Sequence, residues 1–164
     1  DQPRSRGLGD VYKRQGIVYA TRPFAYRGQL IENFWLRFEN GRAVDCGAEK
    51  NGDALRSLIA MDEGSCMLGE CALVPYDSPI RNSGIMFYNT LFDENAACHL
   101  ALGRGYSSNI RSYENYTLDE LRAMGVNDSM VHEDFMIGSA DLAVTGITAS
   151  GERVEIFKDG GWAF

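Results

Sequence analysis

The two histidines of the chain, His99 and His132, each lie among residues that can bind a metal ion. His132 and Asp134 are two positions apart in a run typical of a β-strand. Alternation along a strand places both side chains on one face and sends Glu133 to the other. An imidazole and a carboxylate side by side on a rigid strand can bind one cation. This spacing therefore predicts a metal site.

Further oxygen donors lie close to these histidines in the sequence or at strand-like runs. Glu70 stands before a hydrophobic run, where a buried carboxylate needs a partner or a cation. Glu94 precedes His99, and Tyr106 follows it past a Gly-Arg-Gly turn. These two residues offer additional ligands or a proton donor, so they join the candidate site.

Other interpretations of the same residues are structural. A histidine on an apolar segment is commonly a core residue that is satisfied by hydrogen bonds. Glu70 would then form an ion pair with an arginine such as Arg81 or Arg104, and Tyr106 would be a packed surface ring. Residue types and spacing by themselves leave these alternatives open.

Composition limits the class of protein. A chain of 164 residues, 45% of them hydrophobic, is long enough for one domain with a substantial core. A formal net charge of −7 argues against a nucleic-acid surface, and no apolar run reaches the length of a transmembrane helix. The cysteines form no C-x-x-C pair and predict reduced thiols in a cytoplasmic protein, not a zinc site: Cys46, Cys66, Cys71 and Cys98.

The first fifteen residues differ from the rest of the chain. They are rich in Arg, Gly and Asp, and residues 5–15 resemble translated sequencing-adapter sequence. We therefore expect residues 1–15 to be a non-native or disordered leader and residues 16–164 to be the folded domain. A native basic tail is the alternative. With the first interpretation, the chain is expected to be the C-terminal piece of a longer protein.

Hydrophobic patterns from residue 16 onward predict more strands than helices. Asn40-Gly41 predicts a hairpin turn, and Thr117 with Glu120 forms a capping box that predicts a helix start. The predicted strands cover residues 16–21, 31–38, 42–45, 71–74, 85–88, 135–137, 142–147 and 154–157, and the predicted helices cover 53–61, 90–97 and 118–124. The predicted class is α+β, with a mixed, largely antiparallel sheet.

Three long stretches and the C-terminus resemble one known family. Residues 69–80 (GECALVPYDSPI), 89–103 (NTLFDENAACHLALG) and 132–139 (HEDFMIGS) are similar to signatures of the thermophilic aminopeptidases, peptidase family M29, of the aminopeptidase T and aminopeptidase S type. Residues 154–164 are similar to the closing segment of that family. The resemblance runs in order from residue 16 to residue 164 and implies the metal-site C-terminal catalytic domain, without the N-terminal domain.

The resemblance implies a pair of divalent metal ions, zinc or cobalt, with magnesium or manganese as alternatives. Carried over by position, Glu70 matches a bridging glutamate, and the other matched metal ligands are His99, Tyr106, His132 and Asp134, with Glu94 as a second-tier ligand or supporting carboxylate. One position departs from the family. The family has a further metal-binding glutamate at the position where this chain has Arg4. An arginine cannot bind a cation, so the metal site is expected to be incomplete.

The implied function is a metalloaminopeptidase that releases N-terminal amino acids from peptides with a free N-terminus. Glu70, or the glutamate replaced at Arg4, would transfer the proton, and Tyr106 would bind a metal or stabilise the oxyanion. The family also implies a cytoplasmic homodimer for the full-length protein. Two alternatives remain: a dinuclear-metal hydrolase of another bond, such as a phosphoester, or a metal-binding or oligomerisation fragment without activity.

Overall fold

The computed structural model describes residues 14–164, which form strands in three antiparallel sheets. The strands are β1 Gly16–Tyr19, β2 Phe24–Tyr26, β3 Gln29–Glu39, β4 Arg42–Lys50, β5 Leu68–Ala72, β6 His99–Gly103, β7 His132–Met136, β8 Val144–Ile147, β9 Arg153–Lys158 and β10 Gly161–Trp162. Every strand pairing within these residues is antiparallel, so the predicted α+β class with a largely antiparallel sheet is confirmed.

The helices are short. They are α1 Gly52–Ile59, α2 Pro79–Asn82, α3 Thr90–Asp93 and α4 Leu118–Ala123, with 3-10 turns at Glu94–Ala96, Ser107–Asn109 and Tyr113–Asn115. No helix in residues 14–164 has the length and apolar character needed to cross a membrane.

The first sheet is organised around β3, which pairs with β1, β2 and β4. Asn40 and Gly41, both at positive φ, form the predicted hairpin turn between β3 and β4. Alternate residues of β3 face the core, where Phe34 and Leu36 are fully buried together with Leu55 of α1. The sheet and α1 therefore enclose most of the hydrophobic core.

The second sheet, β5-β6-β7, packs one face against that core. Leu102 of β6 and Phe135 of β7 belong to the same buried cluster, and the rings of Phe34 and Phe135 lie 5.6 Å apart. Because side chains alternate along a strand, His99, Ala101 and Asp134 project from the opposite face. One face of this sheet therefore packs into the core, and the other carries the polar side chains of His99 and Asp134.

Two polar side chains, those of Asp62 and the buried Asn127, attach the loops around this sheet. The Asp62 carboxylate accepts bonds from Ser129 Oγ (2.9 and 3.0 Å) and from the Met130 amide (2.7 Å), just before β7. Asn127 Nδ2 donates to the carbonyls of Gly64 (2.8 Å) and Gly103 (2.6 Å). These bonds fix the approach to β7 relative to the ends of β5 and β6.

The third sheet consists of β8, β9 and β10, in the order β10-β9-β8. Trp162 of β10 packs edge-on against Phe157 of β9, with ring centroids 4.5 Å apart. The amide of Tyr76, in the segment after β5, donates to the carbonyl of Gly160 at 2.8 Å. This contact joins the third sheet to the segment that leaves the second.

Several predicted boundaries are wrong. The strand predicted at 71–74 runs over Leu68–Ala72, so Glu70 lies within the strand and not at its mouth. Residues 85–88 form no strand, because the buried Asp93 carboxylate accepts the amides of Phe87 and Asn89 and folds them into a loop. The helix predicted at 90–97 is α-helical only over Thr90–Asp93, where Asn89 caps it, and continues as the 3-10 turn Glu94–Ala96.

The capping box at Thr117 and Glu120 is confirmed at the start of α4. Of the predicted leader, residues 1–13, including Arg4, lie outside the described residues. The carbonyl of Arg14 accepts the amide of Gly41, and its guanidinium donates to the carbonyl of Leu68. The leader boundary at residue 15 stays a prediction.

Replacing Asp62 should make stability less sensitive to acid. Burial acts to raise the pKa of its carboxyl, but hydrogen bonds led by Met130 and Ser129 outweigh burial and hold the pKa below its usual value. Its stabilisation is therefore present above the unfolded pKa of about 3.9 and is lost as pH falls through the lower folded pKa. We expect Asp62→Asn to lower the free energy of unfolding at pH 7 by about 1–2 kcal/mol.

The measurement is urea unfolding at pH 7 and at pH 3. The difference in stability between the two pH values should be smaller for Asp62→Asn than for the wild type. Asp53→Asn is the matched control, because Asp53 is exposed and pairs only with Arg56 at the surface in the described structure. An equal pH response in all three proteins would contradict the role of Asp62.

Candidate metal centre

The register of the second sheet places three residues side by side. Glu70 of β5 pairs with Ala101 of β6, and Ala101 pairs with Asp134 of β7. His99 lies two residues from Ala101 on β6, and His132 lies two residues from Asp134 on β7, so all share one face. The four side chains suited to bind a cation therefore converge above one alanine.

Glu70 lies between the two imidazoles. Its Oε1 is 3.4 Å from His99 Nε2, and its Oε2 is 3.5 Å from His132 Nε2. Asp134 Oδ1 is also 3.5 Å from His132 Nε2. Two donors on one tetrahedral zinc ion, each about 2.0–2.1 Å from it, are about 3.3 Å apart. The spacing thus matches ligands around a cation and exceeds the length of a charge-assisted hydrogen bond.

Backbone carbonyls orient both imidazole rings. Nδ1 of His99 is 3.2 Å from the carbonyl oxygen of Ala97, and Nδ1 of His132 is 2.7 Å from that of Arg104. A carbonyl can only accept, so each Nδ1 carries the proton and donates it. Nε2 is left to face Glu70, which is the arrangement found in histidines that bind metals.

The carboxylates of the site attract positive charge. Attraction to the Asp134 carboxylate, whose Oδ1 lies 3.5 Å from Nε2, is the largest cause that raises the pKa of His132, to about 9, against the opposing effect of burial. Contacts with the Arg104 carbonyl and Glu70 raise it further. A cation that binds at Nε2 takes the place of this proton, so metal binding releases a proton.

Asp134 and Ala101 provide the test of whether a cation fits. Asp134 is 5% exposed, and no hydrogen-bond donor from residues 14–164 reaches its buried Oδ1. A buried carboxylate oxygen without a donor is costly unless a cation satisfies it. Ala101 is fully buried between Glu70 and Asp134, so its small methyl is covered by the side chains around it. Glu70, His99 and Asp134 place ligand atoms within 4.8 Å of one another.

Glu94 and Tyr106 complete the set of sequence-predicted residues. Burial, and then the negative charge of Asp134, raise the pKa of Glu94, which places it beside the carboxylates. The Tyr106 ring contacts His132 edge-on at 4.9 Å and is half exposed. Burial and the charge of Glu70 raise the Tyr106 pKa, so its hydroxyl remains protonated at neutral pH.

The fold therefore brings all six predicted residues together, although their roles as ligands stay predictions. The alternative arginine partners of Glu70 lie elsewhere, since Arg104 pairs with Asp128 and Arg81 stacks on Tyr76. Sequence analysis missed Ala101 and the carbonyls of Ala97 and Arg104. The only available signal was an alanine two residues from His99 in the same strand.

Comparison with known proteins identifies the family. The family model described as thermophilic metalloprotease (M29) matches residues 9–162. The chain belongs to the M29 family. It is 56% identical over 149 residues to aminopeptidase AmpS of Bacillus subtilis (strain 168), which covers 91% of this chain and 36% of AmpS. It is 48% identical over 148 residues to aminopeptidase T of Thermus aquaticus, which covers 90% of this chain and 36% of that protein.

A solved M29 structure has the same fold. The wild-type AmpT structure from Thermus thermophilus superposes with a TM-score of 0.84 at 44% identity, covering 93% of this chain and 38% of that one. The family resemblance predicted from the sequence is confirmed. This chain spans a little over a third of the length of these M29 relatives.

Removing one predicted ligand should weaken cation binding sharply. Glu70→Gln and Asp134→Asn keep the size of the side chain but remove the charge, so we expect Zn²⁺ affinity to fall at least about a hundredfold. Isothermal titration and elemental mass spectrometry of the purified chain measure it. Glu133→Gln is the matched control, because Glu133 lies between His132 and Asp134 on the other face of β7. An equal loss in the control would contradict the predicted ligand set.

A larger side chain at position 101 should also weaken cation binding, although no ligand is removed. Ala101→Val adds two methyl groups between Glu70 and Asp134, and the residue is fully buried. We expect a roughly tenfold or greater loss of Zn²⁺ affinity, with destabilisation of about 1–3 kcal/mol from overpacking. Zinc titration and urea unfolding measure the two effects. Unchanged affinity would contradict the role of Ala101, and Ala101→Gly should retain binding.

Proposed function

We propose that the protein to which this chain belongs is a metal-dependent aminopeptidase that releases N-terminal amino acids from peptides. The observation that carries the proposal is a single carboxylate, Glu70, whose two oxygens face two separate histidine Nε2 atoms in a chain of the M29 family. The names of the two relatives, aminopeptidase AmpS and aminopeptidase T, support the same activity.

The site would hold two divalent ions. Glu70, His99, His132 and Asp134 would hold them, with Glu94 as a further ligand or a supporting carboxylate. The mixture of imidazole nitrogens and carboxylate oxygens suits zinc or cobalt, and the carboxylates also suit magnesium or manganese. Tyr106, which packs against His132, lies close enough to the centre to serve as a further ligand or as a hydrogen-bond donor.

When bound, the ions would polarise the scissile carbonyl and lower the pKa of the attacking water. Glu70, or the family glutamate whose position corresponds to Arg4 here, would accept a proton from the attacking water and return it to the leaving amine. The Tyr106 hydroxyl, protonated at neutral pH, donates a hydrogen bond to the oxyanion that develops on the substrate. The buried Asp134 and the two carbonyl-oriented imidazoles hold these groups in place.

The substrate is a peptide with a free N-terminus. One metal ion or an acidic group of the site would hold the free α-amino group of the substrate, whereas an acylated N-terminus has no free amine to bind there. The four free cysteines suit a reducing compartment, and we place the protein in the cytoplasm. We also propose that the full-length protein is a homodimer.

A second candidate concerns this chain by itself: a metal-binding fragment without peptidase activity. An apolar surface beside Glu94 favours it. Leu91, Phe92 and Tyr88 are exposed by 74, 52 and 63%, and they lie in the loop and helix that precede Glu94. Large apolar side chains in such a position are typical of a surface that packs against another part of an assembly. Completion of the active site would then require the remainder of the protein.

The test uses the full-length protein and a set of chromogenic substrates. We expect cleavage of aminoacyl p-nitroanilides, loss of cleavage when the substrate is N-acetylated, and loss after dialysis against a chelator with recovery on adding Zn²⁺ or Co²⁺. His99→Ala and Asp134→Ala should abolish turnover. Cleavage of N-acetylated substrates at an equal rate would contradict an aminopeptidase, and preferential cleavage of p-nitrophenyl phosphate would indicate a phosphoesterase.

Tyr106→Phe separates the two roles of Tyr106. If the hydroxyl stabilises the oxyanion, kcat should fall roughly 10²–10³-fold while KM and metal content stay within a few fold. Metal content is measured by elemental mass spectrometry on the same samples. A loss of metal in Tyr106→Phe would instead make Tyr106 a ligand, and unchanged kcat would exclude both roles.

A further inference from the structure

A cavity lies beside the start of β6 and the end of β7. The Gly103-Arg104-Gly105 turn lies at the opposite end of these strands. The volume of the cavity is about 250 Å³. It is lined by residues from four connecting segments that meet at this end of the second sheet: Thr21, Arg22, Tyr76, Arg81, Ala96, Ala97, Gly138 and Ser139. None of these residues is a predicted metal ligand, so the cavity is separate from the centre described above.

The walls of this cavity are held by backbone contacts. The Thr21 amide donates to the carbonyl of Met136 at 2.8 Å, and the Gly138 amide donates to that of Cys98 at 2.9 Å. A Cβ atom at Gly138 would lie 2.6 Å from the Cys98 nitrogen, so only glycine allows this close approach. The cavity is therefore built by the termini of β6 and β7 and is not a gap between loose loops.

The charge in the cavity is opposite to that of the chain. The net charge of the chain is −7, yet the lining contains two arginines and no carboxylate. The two nearest carboxylates in the sequence are already hydrogen-bonded, Asp77 to Asn82 and Asp141 to Ser139. The cavity thus concentrates positive charge that no carboxylate of its lining neutralises.

Arg22 is the first of the two arginines. Its Nη1 is buried without a hydrogen-bond acceptor among the residues that the structure describes. A guanidinium cannot lose its charge in a protein, and a buried N–H without an acceptor is costly. Arg22 as a whole is partly exposed, but its Nη1 is enclosed, so we expect an acceptor that is supplied from outside the described residues.

Arg81 is the second, and it is oriented by an aromatic ring. Its guanidinium lies 3.7 Å from the centre of the Tyr76 ring, and its Nη2 donates to the Tyr76 hydroxyl at 2.6 Å. Stacking fixes the plane of the guanidinium and leaves its other N–H groups for planar or tetrahedral oxyanions. No carboxylate of the described residues forms an ion pair with Arg81.

We propose that this cavity is a binding site for a small oxyanion, a carboxylate or phosphate group held between Arg22 and Arg81. Two arginines that line one cavity, with no carboxylate among its described lining residues, suit recognition of such groups. The oxyanion is either free phosphate or the terminal carboxylate of a peptide. The site does not depend on the metal centre, although Ala97, which lines it, also orients His99.

The test is isothermal titration of the chain with inorganic phosphate, after metal is removed by dialysis so that a bound ion cannot capture the phosphate. We expect saturable one-site binding that is weakened at least tenfold by Arg22→Gln and by Arg81→Gln. Arg153→Gln is the matched control: it removes the same charge from an exposed position on β9 and should change the affinity less than twofold. Amide chemical shifts in a ¹⁵N-labelled sample should change at Ala97, Gly138 and Ser139.

Peptide arms distinguish the source of the oxyanion. A trialanine with a free C-terminus that competes with phosphate, when its C-terminal amide does not, would identify a peptide carboxylate. Phosphate binding that neither peptide displaces would identify free phosphate. Absence of phosphate binding in the wild type, or an equal loss in Arg153→Gln, would overturn the proposal. Because Arg81 lies on a short, partly exposed helix, its variant decides the matter even if Arg22→Gln does not fold.

Discussion

The register of β5, β6 and β7 is the constraint on which the metal centre depends. Glu70, Ala101 and Asp134 lie abreast because each pairs directly with its neighbour across the sheet. A slip of one residue in any strand would turn its polar residues into the core and its apolar residues outward. The irregularity between Leu68 and Glu70 belongs to this register, since it brings Glu70 opposite Ala101.

The same strands connect the centre to the hydrophobic core. Leu102 and Phe135 are buried on one face, directly beside Ala101 and Asp134 on the other. Any movement that spreads the ligands therefore also disturbs close packing around Phe34. Rigidity of this kind allows a cluster of carboxylates to persist, because the free energy of core burial offsets their mutual repulsion.

The sheet also separates two regions of opposite charge. Three acidic side chains and two imidazoles occupy the metal centre, whereas Arg22 and Arg81 occupy a cavity past the start of β6. Ala97 belongs to both regions, since its carbonyl orients His99 and its backbone lines the arginine cavity. An anion in the cavity would therefore bind beside Ala97, two residues before the predicted ligand His99.

The sequence by itself determined the local features and the family. The Asn40-Gly41 hairpin and the Thr117–Glu120 capping box follow from side chains and φ angles within a few residues, so no distant contact was needed to predict them. The His-x-Asp spacing placed two candidate ligands on one face because strand alternation is itself local. The M29 motifs then indicated which remaining residues should join them.

Only the tertiary structure decided how these residues meet. Which strand lies beside which is a property of long-range pairing, so the position of Glu70 between His99 and His132 could not be derived from spacing along the chain. The predicted strand at 85–88 failed for a related reason: the buried carboxylate of Asp93 binds its amides and outweighs β-propensity. The burial of Ala101 between Glu70 and Asp134 and the position of Arg22 and Arg81 in one cavity likewise depend on contacts between segments far apart in sequence. Burial and backbone pairing, and not local preference, set these arrangements.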